Sequence, residues 1–136
     1  MKILVLCTGN SCRSQMAEGF LKSFDSRLMV FSAGTNPAPH ANARAVAVMK
    51  EVGIDISQNI PKSVDLFLSD SFDYVITVCD DARESCPYFS GIVRYRIHIR
   101  FEDPAKAVGT EDQILEEYRR TRDRIKEEFL KFYKTI

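Results

Sequence analysis

The sequence carries no net charge: 19 Lys and Arg balance 19 Asp and Glu across 136 residues. Without a basic excess there is no broad field to gather nucleic acid or an anionic membrane, so any bound anion must be held by local groups. Long apolar runs are also missing. The one near the start, Ile3 to Cys7, follows a single lysine and falls far short of a signal peptide or a membrane span, so a cytoplasmic location is expected. Glycine and proline are scarce, 6 and 5, and no repeat, low-complexity tract or linker divides the chain. These absences leave a single domain over residues 1–136, large enough to bury about two-thirds of its unfolded surface. Such a core needs no disulfide or structural metal. Stable disulfides are rare in the cytosol, so the four cysteines, Cys7, Cys12, Cys79 and Cys86, point to catalysis, redox chemistry or metal binding.

Short apolar runs alternate with helical periodicity. The run KILVLC, rich in branched residues, reads as a buried first strand that stops at Thr8-Gly9-Asn10-Ser11. From Ser14, the residues Met16, Phe20, Leu21 and Phe24 recur at helical spacing. Leu28 to Ser32 reads as a second strand, Ala41 to Val52 as a helix ended by Gly53, and Val64 to Leu68 as one helical turn. Phe72 to Val78 and Ile92 to Ile99 supply strands three and four, the last alternating apolar and basic residues like an edge strand. Glu111 to Tyr133 closes the chain as a long amphipathic helix. The alternation predicts an α/β fold with a four-stranded parallel sheet wrapped on both faces, a three-layer α/β/α arrangement. Ligands of such folds sit beyond the carboxyl ends of the strands, where Cys7 and Cys79 both fall.

Cys7 to Ser14, CTGNSCRS, has the spacing Cys-x5-Arg between a strand and a helix. Gly9 and Asn10 tolerate positive φ, which lets successive N–H groups curl around an anion. The helix start favours negative charge, and Arg13 adds a two-pronged grip on a tetrahedral oxyanion. The same field keeps Cys7 as thiolate, with Ser14 expected to donate its hydroxyl to it. A nucleophilic sulfur then lies beneath the central atom of an oxyanion cradled by Thr8, Gly9, Asn10, Ser11, Cys12, Arg13 and Ser14. Cys12 has no chemical role in this scheme and is expected to pack passively.

On CTGNSCRSQMAEG, FSAG (residues 31–34), MKEVGIDIS (49–57), the pair in TVCDDARESCP and FEDPA, the chain resembles the thioredoxin-coupled arsenate reductases. These share the fold of the low-molecular-weight protein tyrosine phosphatases. The resemblance implies that Asp103, fixed by Pro104, protonates the departing oxygen. It also implies a relay in which Cys7 attacks arsenate, Cys79 then forms a disulfide with Cys7, and Cys86 takes over Cys79 before thioredoxin reduces the Cys79–Cys86 bond. Disulfide partners need Cα atoms within about 7 Å, so the hydrophilic stretch from Asp80 to Ser85 must move, and an unwinding helical turn is expected there.

Some reductases of this family hold a monovalent cation with an Asn, a Glu, a Ser and an Asp. Asn10, Glu18 and Ser32 match, but the fourth position holds Lys62, whose ammonium is expected to pair with Glu18 and remove the need for potassium. No cofactor or metal is expected. The six residues between Cys79 and Cys86 are a wider gap than zinc pairs use, and the two histidines, His40 and His98, read as structural or solvated. The expected partners are thioredoxin and an arsenate- or phosphate-like oxyanion, with no nucleic acid or membrane, and the protein is expected to be a monomer. The alternative is a low-molecular-weight tyrosine phosphatase that uses Cys7, Arg13 and Asp103 with water completing the cycle.

Overall fold

The computed structural model describes residues 1–136. Four strands, β1 (Lys2–Cys7), β2 (Met29–Gly34), β3 (Phe72–Thr77) and β4 (Val93–His98), alternate with helices α1 (Arg13–Phe24), α2 (Ala43–Lys50), α3 (Asp80–Glu84) and α4 (Glu111–Tyr133). Two 3-10 turns, Val64–Phe67 and Pro104–Lys106, complete the chain. The sheet is parallel throughout, in the order β2-β1-β3-β4. Its registers align Cys7 with Gly34, Leu6 with Thr77, and Thr77 with His98, so all four carboxyl ends meet on one rim.

Position in the sheet explains composition. The interior strand β1 is fully buried from Ile3 to Leu6, whereas β4 lies at the edge with Arg94, Tyr95 and Arg96 exposed. Helices α1 and α4 pack on each other, and α4 sets Phe132 edge-on against Tyr74 of β3, ring centroids 5.0 Å apart. Val75 and Thr77 alternate to the opposite face, where they line a recess with Arg83 and Cys86 from the α3 region. Each large apolar side chain removed from water stabilises this layering by about 1.5–3 kcal/mol.

Several boundaries differ by one or two residues from those read in the sequence, and two of them have local reasons. Helix α2 starts at Ala43 rather than Ala41 because Asn42 caps it, its side chain accepting from the N–H groups of Arg44 and Ala45. Asn42 Nδ2 also donates to the hydroxyl of the buried Tyr118 (3.0 Å), which ties the cap to α4. Strand β2 runs on to Gly34 because its pairing with β1 continues to Cys7. Helix α4 has the expected limits, set by a capping box between Thr110 and Gln113.

Candidate active site

Between β1 and α1 the chain turns through Asn10, the one non-glycine residue at positive φ, 51°. Asn10 takes the left-handed conformation expected of the loop, and Gly9 does not. Its fully buried side chain donates to Ser14 Oγ (2.8 Å) and Ser32 Oγ (2.9 Å) and accepts from Lys62 N (2.9 Å) and Gln15 Nε2 (3.2 Å).

The loop carbonyls are all occupied. Those of Cys7, Thr8, Gly9 and Ser11 accept from Thr35, Asn36, Ala38 and Asn42, that of Asn10 accepts from Gln15, and that of Cys12 from Met16. The backbone N–H groups of Gly9 through Ser14, by contrast, find no acceptor in the protein. Cys12 caps α1 without a side-chain hydrogen bond, so the helix's first amides stay free as well. With its carbonyls turned to neighbours and its amides unpaired, this loop has the geometry to receive an anion. Gly34 makes the shape possible, since a Cβ there would collide with the Thr8 carbonyl oxygen.

Arg13 reaches across the rim. Its Nη1 donates to the Phe101 carbonyl (3.1 Å), Nη2 lies 3.7 Å from Asp103 Oδ2, and its buried Nε has no partner. The other oxygen of Asp103 accepts from Ala105 N (3.0 Å), capping the turn that opens with the buried Pro104. The carboxylate is thus fixed at the mouth. Thr8, Arg13, Cys79, Phe101, Asp103 and Lys106 line a cleft of about 380 Å³, together with charged residues of the α3 and acid-loop margins.

Cys7 and Cys79 are buried at the carboxyl ends of the adjacent strands β1 and β3. Cys79 Sγ is 3.3 Å from Thr8 Oγ1. The neighbouring Cys7 thiol lowers the Cys79 thiol to about 5, helped by Thr8, the Ala82 amide and Arg13 against the cost of burial. The same proximity, followed by burial, raises Cys7 against the pull of Arg13 and the Thr8 amide. The pair therefore loses its first proton more readily than an ordinary thiol and its second with more difficulty. Cys12 behaves differently. Burial pushes its thiol up to about 12, which makes it inert packing.

The structure thus brings Cys7, Arg13, Cys79, Asp103 and the amides of the loop together, and places Cys86 apart. Cys86 is half-buried beyond α3, 3.9 Å from Arg96 Nη1, in the recess on the β3–β4 face. All four cysteines are reduced. Two expectations need correction. Glu18 is paired with Lys22, one helical turn along (2.9 Å), and accepts from Ser32 Oγ (2.8 Å). Lys62 instead donates its ammonium to the Ile60 carbonyl (3.3 Å), because its backbone N–H is held by Asn10 and the side chain turns to solvent. Ser14 receives Asn10 Nδ2 and makes no hydrogen bond to the Cys7 sulfur. Sequence reading missed Gln15, Gly34 and Asn42, whose only signals were a polar residue on an apolar helix face, a small residue ending a strand, and an Asn ahead of a helix.

Four similarities place this geometry among known proteins. The sequence profile described as low molecular weight phosphotyrosine protein phosphatase matches residues 2–136. An arsenate reductase of Shouchella clausii is 46% identical over 134 residues, 98% of this chain and 95% of that protein, and an arsenate reductase of Bacillus subtilis is 44% identical over the same shares. The solved structure of an arsenate reductase in the phosphate binding state superposes with a TM-score of 0.79 at 32% identity, covering 99% of this chain and 98% of the other.

Proposed function

The chain belongs to the low molecular weight phosphotyrosine protein phosphatase family, and we propose that within it the protein works as an arsenate reductase through a three-cysteine relay. The observation that carries this reading is the second sulfur. A phosphatase needs one thiolate and water, whereas here Cys79 lines the same cleft, 3.3 Å from the hydroxyl of Thr8, the residue after Cys7.

The amides of residues 9–14 and Arg13 hold the oxyanion with its central atom over Cys7. Attack by the thiolate forms a sulfur–arsenic bond while Asp103 supplies a proton to the oxygen that leaves as water. Cys79 then attacks the Cys7 sulfur. A disulfide forms, the sulfur–arsenic bond breaks, and its electron pair stays on arsenic, which leaves as arsenite. Cys86 next attacks Cys79 and returns Cys7 as a thiolate. A reduced dithiol, in our reading thioredoxin, takes the Cys79–Cys86 disulfide by exchange. The working protein is a cytoplasmic monomer of one domain in this proposal, and no helix is long and apolar enough to cross a membrane.

Treating the reduced protein with one equivalent of arsenate and mapping disulfides by mass spectrometry tests the relay. A Cys79–Cys86 bond is expected in the wild type and a Cys7–Cys79 bond in Cys86→Ser. Arsenite release with neither bond would overturn it. Because Cys7, Arg13 and Asp103 alone suffice for phosphomonoester hydrolysis, slow hydrolysis of an aryl phosphate is expected beside reduction. Hydrolysis outpacing thioredoxin-coupled arsenate turnover would favour the phosphatase reading instead.

A further inference from the structure

The relay demands that α3 open. A helical path across the seven positions from Cys79 to Cys86 separates their Cα atoms by about 10 Å, beyond the roughly 7 Å a disulfide spans. Little apolar surface resists the opening, since Ala82 is the only buried residue of α3. What does fasten the helix is polar. Asp80, its first residue, accepts from His98 Nε2 (3.0 Å) and Arg100 Nε (3.0 Å). His98 is braced by Thr77 Oγ1 at 2.7 Å from its Nδ1, and Arg100 by donating Nη1 to Glu102 Oε1 (2.8 Å). One guanidinium therefore joins the residue after Cys79 to the residue before Asp103. The Arg100 and His98 hydrogen bonds, in that order, hold the Asp80 carboxyl below its ordinary range. Asp81, the other acid of the first turn, has no such partner.

We propose that Asp80, clamped by His98 and Arg100, is a positioning residue that keeps Cys79 turned toward Cys7 and opposes its transfer to Cys86. The clamp exists in the reduced form and must be given up when residues 80–85 rearrange, so it stabilises the dithiol relative to the Cys79–Cys86 disulfide. It also orders the relay: Cys79 stays with the sulfur that holds the substrate until the first disulfide has formed. This inference rests on the relay proposed above.

The test compares Asp80→Ala with Asp81→Ala. Both lose a first-turn acid and gain the same helix former, but only the first loses the clamp. The Cys79–Cys86 couple is poised in dithiothreitol buffers, and amide hydrogen exchange is followed in the reduced proteins. Asp80→Ala is expected to favour the disulfide about tenfold, a midpoint lower by about 30 mV. Its Arg83 and Ser85 amides, which donate to Cys79 and Asp81 carbonyls, should exchange about tenfold faster. Asp81→Ala should match the wild type in both readouts. Arg100→Gln approaches the clamp from the other side, and its effect should be less than additive with Asp80→Ala. Equal potentials and equal exchange in the two alanine variants would overturn the clamp while leaving the relay intact. A wild type that forms no Cys79–Cys86 disulfide would instead remove the relay and the transfer step with it.

Discussion

Residues 7–14 and 79–86 each carry two cysteines and lie on the same rim, yet they are held in opposite ways. The first segment is over-determined: its carbonyls are tied to residues 35–42 and to α1, and Asn10 fills its interior with four side-chain hydrogen bonds. The second is a five-residue helix with one buried side chain and an exposed polar fastening. An anion receptor works by having its donors fixed before the ligand arrives, whereas a sulfur that must bond two partners in turn works by being able to leave. Rigidity and looseness on one rim are thus two halves of the same chemistry.

Breaking the rigid half should cost most. Gly34→Ala forces the Thr8 carbonyl to shift and with it the cup, so arsenate reduction should fall about 100-fold, as steady-state kinetics would show. Full activity in that variant would mean the loop is softer than its hydrogen bonds imply. The chemical contrast between the cysteines comes next. Because the first proton of the Cys7–Cys79 pair is lost near pH 5, its thiolate is present above that pH and disappears as pH falls through it. Alkylation by iodoacetamide at pH 7 should therefore modify the pair about tenfold or more faster than Cys12, read peptide by peptide. Loosening the other half sharpens the comparison further. Ala82→Gly should weaken α3 by about 1 kcal/mol, speeding hydrogen exchange there while aryl phosphate hydrolysis stays within about twofold.

The smallest effect concerns potassium. Lys22 already supplies the cation beside the buried Glu18, so potassium at constant ionic strength should change the rate less than about twofold in the wild type. Lys22→Met should become responsive. A strong potassium dependence in the wild type would show that the Lys22 ammonium does not complete the site.

What could be read from the residues alone followed the range of the forces involved. Local ones are legible: the limits of α4 follow from an apolar stripe and charge pairs that lie within the helix, and CTGNSCRS announces an anion loop because strand, turn and helix start are contiguous. Long-range choices are not. Whether Lys22 or Lys62 reaches Glu18 depends on where Asn10 anchors the Lys62 backbone, 52 positions away. The segment from Thr35 to Asn42 looked like a connection, yet its amides turn the cup inside out by taking up the carbonyls. Asp80, His98 and Arg100 are ordinary surface residues until the parallel register brings the end of β4 beside the start of α3.

The arginines of β4 have a consequence for the protein as a traveller in a crowded solution. Strand β4 forms one border of the sheet, and its outer side offers bare backbone to any passing extended chain. Arg94 and Arg96, stacked on Tyr95 and Phe89, keep a row of like charges there, so two molecules repel along the border where they would otherwise zip together.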